Sequence, residues 1–158
     1  MYPTTKKEFL NFYGEFKFKN DDKHPGQVII TDGWDRKNIV LLELPVLKPN
    51  GKKWKINIHA KLSGDVKSIF DEWNGMNISY PVVELGGWVA RRQYWSPVKP
   101  LSTHAWGCAL DINWSTNLAG HKDYTIPDKL IGIFENHGWT WGGRWRAKDV
   151  MHFQAYKQ

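Results

Sequence analysis

The chain has few of the features that mark disulfide-rich, membrane-spanning or low-complexity proteins. It contains a single cysteine, Cys108, so no disulfide can form within it. No stretch approaches the roughly 20 apolar residues of a transmembrane helix, and no repeat or biased segment is present. The first residues also lack the apolar run of a signal peptide. We therefore expect a globular protein that is made in the cytoplasm and has no membrane span.

A length of 158 residues with 41% hydrophobic residues suits one domain over residues 1–158 with a core of its own. The aromatic content is high, at 15% with ten tryptophans. Tryptophan packs well but its indole N–H needs a partner, so some of these side chains are expected to line a groove.

The formal net charge is +6, which favours polyanionic surroundings such as nucleic acid, anionic membrane or an acidic cell-wall polymer. The lysines are scattered along the chain and do not form one basic arm. This distribution indicates loose attraction to an acidic wall polymer and argues against a nucleic-acid partner.

Periodicity predicts an α+β fold with a mainly antiparallel sheet and flanking helices. The clearest helix covers residues 63–74, where Val66, Ile69, Phe70 and Trp73 form one apolar stripe, with Ser63 as N-cap and Gly75 as stop. Two further helices are expected over residues 5–13 and 130–136. Strands are expected over residues 27–30, 38–44, 54–59, 81–85, 109–113 and 151–155, with a hairpin-like connection between the first two. The lack of regular βαβ alternation argues for a mainly antiparallel sheet.

A candidate metal site begins with His104 and Asp111, which flank Gly107. Zinc accepts imidazole nitrogen and carboxylate oxygen, and a catalytic site leaves one position for water. The seven-residue spacing does not suit two ligands on one helix face, but it suits a loop residue and a strand residue joined by a turn at Gly107. Two residues alone do not establish a site.

The C-terminal segment supplies a third ligand and a candidate base. His152 completes a His-Asp-His set. Asp149 lies three residues before His152 and follows the segment Trp141-Gly142-Gly143. A carboxylate beside the metal that does not ligate it can take a proton from the attacking water and deliver it to the leaving amine.

These residues resemble the signature of the D-alanyl-D-alanine carboxypeptidase and L-alanyl-D-glutamate endopeptidase family of zinc peptidases. The resemblance rests on Ser102-x-His104-x-x-Gly107-x-Ala109-x-Asp111 followed by Asp149-x-x-His152. It is closest to the phage-endolysin-like members, which share Trp-Gly-Gly, His-Phe and an upstream Gly-x-aromatic-x-x-Arg, here ending at Arg91. It covers about residues 84–154.

The resemblance implies a fold of the Hedgehog and D-alanyl-D-alanine carboxypeptidase type, with Zn²⁺ bound by His104, Asp111 and His152. It also implies Asp149 as the base and Arg91 as the group that stabilises the oxyanion. Arg92 follows directly and is an alternative to Arg91.

Cys108 lies among the ligands but is expected to be a buried, inert thiol, and Ser102 is expected to hydrogen-bond within the site. The other histidines have no motif context: His24, His59, His121 and His137.

The implied substrate is the stem peptide of peptidoglycan. Cleavage between L-Ala and D-Glu is favoured, removal of the terminal D-Ala is an alternative, and a non-catalytic wall-binding module on the same fold is another. We expect a monomer that acts on the bacterial cell wall, reached by phage-type release or as part of a particle. Trp88, Trp106, Trp139 and Trp141 flank the motifs and are expected to form walls of a peptide groove.

Overall fold

Four α-helices and three small antiparallel sheets make up the fold in a computed structural model that describes residues 1–157. The helices are α1 (Lys6–Tyr13), α2 (Trp34–Asn38), α3 (Ser63–Gly75) and α4 (Asp128–Asn136). The strands are β1 (Phe18–Asn20), β2 (Val28–Ile30), β3 (Ile39–Leu47), β4 (Lys53–His59), β5 (Leu85–Gly86), β6 (Ala109–Ile112), β7 (Thr140–Trp141) and β8 (His152–Gln154). Every strand pair within the described residues is antiparallel, in agreement with the expected α+β class.

Three of the four helices, α1, α3 and α4, form where the sequence predicts them. In α1, Thr5 accepts a hydrogen bond from the Glu8 backbone N–H while the Glu8 carboxylate accepts one from the Thr5 N–H, each at 3.2 Å. This capping box satisfies backbone donors that the first helical turn leaves free. The four residues of the predicted apolar stripe on α3 are all buried.

The predicted N-cap of α3 is wrong. A 3-10 turn, Ala60–Leu62, leads directly into α3, so Leu62 occupies the cap position. The Ser63 hydroxyl instead donates to the Ala60 carbonyl at 2.8 Å.

The predicted connection between residues 27–30 and 38–44 is also wrong. β2 pairs with β1, β3 pairs with β4, and the residues between them form α2. The Asp32 carboxylate accepts hydrogen bonds from the backbone N–H groups of Lys17 (2.7 Å) and Trp34 (3.1 Å), and Trp34 is buried. These contacts turn the chain into a helix where a hairpin was expected.

The strand expected over residues 81–85 is reduced to β5. The Asn113 side-chain oxygen accepts hydrogen bonds from the backbone N–H groups of Val83 (2.8 Å) and Glu84 (3.0 Å). Because a side chain already satisfies these donors, ladder pairing begins only at Leu85.

The four-stranded sheet has the order β5-β6-β8-β7, so β6 and β8 are its central strands. Its apolar side chains belong to a buried cluster that also includes residues of α1, α3 and α4. The two central strands are therefore supported by the core. The longest helix has 13 residues, and no helix in residues 1–157 is both long and apolar enough to cross a membrane.

Candidate metal centre

His104 lies in a 3-10 turn, Thr103–Trp106, that begins after Ser102 and ends at Gly107. The Ser102 hydroxyl accepts a hydrogen bond from the His104 backbone N–H at 3.4 Å, a capping contact. Gly107 has φ +64°, and a Cβ there would lie 2.8 Å from the His59 backbone nitrogen. Glycine is therefore required at the turn that leads from His104 into β6.

Asp111 and His152 lie on the two central strands and are direct register partners. Opposed residues on antiparallel strands project to the same face of the sheet. The ladder thus holds the carboxylate and the imidazole side by side, while the turn at Gly107 brings His104 to them.

The three side chains converge closely. Asp111 Oδ2 lies 3.0 Å from His104 Nε2, and Asp111 Oδ1 lies 2.8 Å from His152 Nδ1. One potential ligand atom from each residue lies within 4.8 Å of the others. Both histidines are buried, and Asp111 is nearly so.

Hydrogen bonds on the far sides of the rings indicate which nitrogens face the shared space. His104 Nδ1 lies 2.6 Å from the Gly87 carbonyl, which can only accept, so Nδ1 carries the proton. The His104 Nε2 atom then has a free lone pair and, although near Asp111, has no hydrogen-bond partner. His152 Nε2 lies 3.2 Å from the Gln154 side-chain oxygen, which leaves Nδ1 facing Asp111.

The electrostatics fit a bound cation. Burial raises the pKa of Asp111, but the two histidines outweigh it and hold that pKa well below its usual value. Burial lowers the pKa of His152, but the Asp111 carboxylate reverses this effect and raises it. An ionised carboxylate and an unpartnered imidazole nitrogen in a buried site are the donor types that Zn²⁺ accepts. The arrangement therefore forms a possible metal site.

Asp149 lies beside this set without belonging to it. Its Oδ1 atom is buried and has no hydrogen-bond partner within the described residues. Burial raises the pKa of the Asp149 carboxyl, and the negative charge of Asp111 raises it further. The positive charges of His152, His104 and Arg91 lower that pKa but do not cancel the rise. A carboxylate with a raised pKa and a free oxygen is suited to accept a proton.

The Trp-Gly-Gly segment explains how Asp149 reaches this position. A Cβ on Gly142 would lie 2.4 Å from the Asp149 carbonyl oxygen and 3.0 Å from its Cβ, and the Asp149 N–H donates to the Gly142 carbonyl at 3.1 Å. A Cβ on Gly143 would lie 2.2 Å from the Trp141 ring. Because neither glycine has a side chain, Gly142 can pack closely against Asp149, and Gly143 can pack closely against the Trp141 ring.

The structure separates the two candidate arginines. Arg91 Nη2 lies 3.6 Å from Asp111 Oδ2, and its side chain is largely buried. Arg92 points away and donates to the Asn20 side chain (3.0 and 3.2 Å) and the Lys99 carbonyl (2.9 Å). Arg91 is therefore the arginine at the candidate metal centre.

Comparison with known proteins is consistent with this geometry. Residues 96–155 match a family model described as D-alanyl-D-alanine carboxypeptidase. The match supports a hydrolase of the zinc peptidase family. It contains His104, Asp111, Asp149 and His152, whereas Arg91 lies before it. Neither a curated protein nor a solved structure matches the chain significantly.

Cys108 is buried, and it is not part of the possible metal site. Its thiol donates to the Thr103 carbonyl at 3.2 Å, and burial raises its pKa well above the usual value. The prediction of a buried thiol outside the ligand set agrees with this placement. The remaining histidines lie outside the metal set as well: His24, His59, His121 and His137.

Two of the tryptophans expected in a groove are core residues instead. Trp139 and Trp141 are buried, and Trp141 donates from its indole to the Val150 carbonyl at 2.9 Å. Trp145, which was not among the four tryptophans expected in a groove, packs beside the site with its ring centroid 5.4 Å from that of His152.

The sequence reasoning missed the contacts that orient His152. Gln154 faces the same side of β8 as His152, and Thr103 donates to the Gln154 oxygen at 3.1 Å. The two-residue spacing was a usable signal for Gln154, since alternate strand residues share a face. No local pattern marked Thr103, which is 51 residues from Gln154.

Proposed function

We propose that the chain is a zinc-dependent peptidase that hydrolyses an amide bond in the stem peptide of peptidoglycan. The observation that carries the proposal is the convergence of His104, Asp111 and His152 beside Asp149, whose buried oxygen has no partner in the described residues. The family match over residues 96–155 supports it independently.

The residues take separate roles in this proposal. His104 through Nε2, His152 through Nδ1 and the Asp111 carboxylate would hold the metal. When bound there, zinc would act as a Lewis acid and would lower the pKa of a water molecule, so that the water can lose a proton and attack near neutral pH. Asp149 takes the proton from the attacking water and returns it to the leaving amine. Arg91 donates hydrogen bonds to the oxyanion that develops on the scissile carbonyl.

We favour the L-alanyl-D-glutamate bond as the point of cleavage. A carboxypeptidase must also bind the terminal carboxylate of its substrate. Among residues 1–157, Arg91 is the only arginine or lysine within ion-pair distance of the Asp111 carboxylate. Because we assign Arg91 to the oxyanion, no second arginine or lysine next to Asp111 is left among these residues to bind a terminal carboxylate. Removal of the terminal D-Ala is the second candidate, and the description of the matched family favours it.

A non-catalytic wall-binding module is a weaker proposal, because a degenerate site usually loses a ligand or the base. We propose that residues 1–158 form a single catalytic domain of the Hedgehog and D-alanyl-D-alanine carboxypeptidase fold type. We also propose that it acts as a monomer on an anionic wall.

Replacement of Asp149 by Asn tests the proposal, since Asn keeps the shape but cannot accept the proton. We expect unchanged zinc content and a loss of hydrolysis of roughly 10²- to 10⁴-fold on purified sacculi. Asp123→Asn is the matched control, because Asp123 is exposed. Near-normal hydrolysis by Asp149→Asn would remove Asp149 from the mechanism.

Mass spectrometry of the fragments released by the wild-type protein identifies the bond. New N-terminal D-Glu indicates endopeptidase cleavage, whereas free D-Ala indicates the carboxypeptidase. A zinc-loaded wild-type protein that releases neither would refute the peptidase proposal.

A further inference from the structure

We propose that Trp95 is a positioning residue that holds the Arg91 guanidinium at the candidate metal centre. Any effect of Trp95 on catalysis rests on the proposed function, in which Arg91 stabilises the oxyanion. The contact between the two side chains is a property of the structure that can be tested without turnover.

The Trp95 ring lies against Arg91. The Arg91 Cζ atom is 5.2 Å from the Trp95 ring centroid, which is within the range of a cation–π contact. Arg91 Nη1 also donates to the Arg92 carbonyl at 3.3 Å, and Nη2 lies 3.6 Å from Asp111 Oδ2. The guanidinium is thus held on one side by Asp111 and on the other by the turn that carries Trp95.

This turn belongs to a loop that is closed at its base against the ligand segment. The Ser102 N–H donates to the Arg91 carbonyl at 3.0 Å, and the Gln93 N–H donates to the Pro100 carbonyl at 2.9 Å. Arg92 and Leu101 form an antiparallel bridge between these two contacts. Because Ser102 caps the turn that carries His104, the loop is joined directly to that ligand.

The backbone at Trp95 is in an unusual conformation. Both Tyr94 and Trp95 have φ +54°, in the left-handed region that bulky residues rarely adopt. The backbone of Trp95 packs directly against Gly26, where a Cβ would lie 2.1 Å from the Trp95 carbonyl oxygen. The Arg92 carbonyl accepts the Trp95 N–H at 3.3 Å. These contacts hold the turn in a shape that places the indole on Arg91.

Core packing does not account for the Trp95 ring. Trp95 is 48% exposed and Tyr94 is 70% exposed. A half-exposed tryptophan on a left-handed backbone contributes little to the buried core, and its contact with Arg91 is the interaction that the conformation secures.

The test uses Trp95→Gly, because glycine tolerates a positive φ and the turn is therefore expected to survive. Tyr94→Gly is the matched control, since it relieves the same backbone conformation one residue earlier. Arg91 is observed through its Nε–Hε resonance in two-dimensional NMR, assigned by its loss in Arg91→Lys. We expect an upfield-shifted, rigid signal in the wild type and in Tyr94→Gly. In Trp95→Gly we expect the signal to become mobile and to lose the ring-current shift, whereas an unchanged signal would overturn the proposal.

Kinetics then test whether the contact matters for catalysis. Trp95→Gly should lower kcat by about 10- to 100-fold with KM nearly unchanged, since small misplacement of a positioned group can cost that much. Trp95→Phe should restore most of the loss, and Trp95→Gly should have no further effect in the Arg91→Lys background. An equal loss in both backgrounds would contradict action through Arg91. If the zinc-loaded wild type releases no peptide fragment, the proposed function fails, and the NMR result still decides the Trp95–Arg91 contact.

Discussion

Asp111 and His152 lie directly opposite each other on β6 and β8, with Asp111 Oδ1 2.8 Å from His152 Nδ1. The backbone ladder therefore holds one carboxylate–imidazole pair of the candidate metal centre together. His104 is added from a separate turn, whose geometry depends on Gly107. A site built in this way should depend steeply on each ligand and tolerate changes of histidines elsewhere.

Replacing His152 with Ala should abolish most zinc binding. Loss of a residue that merely orients a ligand typically costs 10- to 100-fold in metal affinity, so loss of the ligand itself should cost more than about 100-fold. Isothermal titration with Zn²⁺ and metal analysis of the purified protein measure the effect. His121→Ala is the control because His121 is exposed. Equal zinc content in the two variants would exclude His152 from the ligand set.

Much of this site could be predicted from the sequence because its chemistry is carried by short motifs. His104, Gly107 and Asp111 are close in the chain, and the turn that joins them has the conformation that a glycine suggests. Asp149 and His152 share a second short segment. Spacing alone brought the members of each segment together, and the resemblance joined the two segments.

The contacts that the sequence did not reveal depend on long-range packing. The sequence leaves Arg91 and Arg92 as alternatives, and only the fold shows that Arg91 faces Asp111 while Arg92 faces Asn20. Likewise, the Asn113 side chain accepts hydrogen bonds from the backbone N–H groups of Val83 and Glu84, which the local pattern had assigned to a longer strand. The choice of β1 as the partner of β2 also required the tertiary structure.

Two glycine-to-alanine changes should have opposite effects on stability. At Gly142 an added Cβ would meet the Asp149 carbonyl at 2.4 Å, so the backbone must shift. We expect Gly142→Ala to lower the free energy of unfolding by about 1–3 kcal/mol, the usual cost of overpacking. Gly132 lies within α4 with open space around it, and Gly132→Ala should raise that free energy by about 0.5–1 kcal/mol.

Urea unfolding of both variants and the wild type measures these changes. Because Gly142 packs on Asp149, Gly142→Ala should also reduce hydrolysis, while Gly132→Ala should leave it unchanged. Equal stability of the two variants would show that the close approach at Gly142 is not maintained in solution.

The stability of the fold should depend on pH through His137 and Asp65. His137 Nδ1 lies 2.6 Å from Asp65 Oδ1, and Nε2 lies 3.3 Å from Glu72 Oε2. Burial lowers the pKa of His137, but the two carboxylates outweigh it, so the pKa is raised in the folded protein. Burial raises the pKa of Asp65, but hydrogen bonds from Tyr2, Trp139 and His137 outweigh it and lower the pKa.

The sign of the effect follows for each group. A raised histidine pKa stabilises the fold fully below its unfolded value of about 6.5, and this contribution is lost as the pH rises through the folded pKa. A lowered aspartate pKa stabilises the fold above about 3.9, and this is lost as the pH falls through the folded pKa. His137→Gln should therefore be most destabilising near pH 5–6 and much less so near pH 9. Thermal unfolding at both pH values, with exposed His121→Gln as control, tests this, and a pH-independent difference would contradict it.

Salt should distinguish attraction to the wall from catalysis. The chain carries 22 lysines and arginines against 16 acidic residues. The distance over which such charges act shrinks from about 10 Å at 0.1 M salt to about 3 Å at 1 M. If the net charge of +6 draws the protein to an anionic polymer, added salt should reduce the lysis of whole cells more strongly than the hydrolysis of a small soluble stem peptide. Turbidity and peptide release measured over the same salt series compare the two. Parallel decline of both rates would indicate that salt acts on the catalytic site or on the fold, and that charge attraction to the wall contributes nothing.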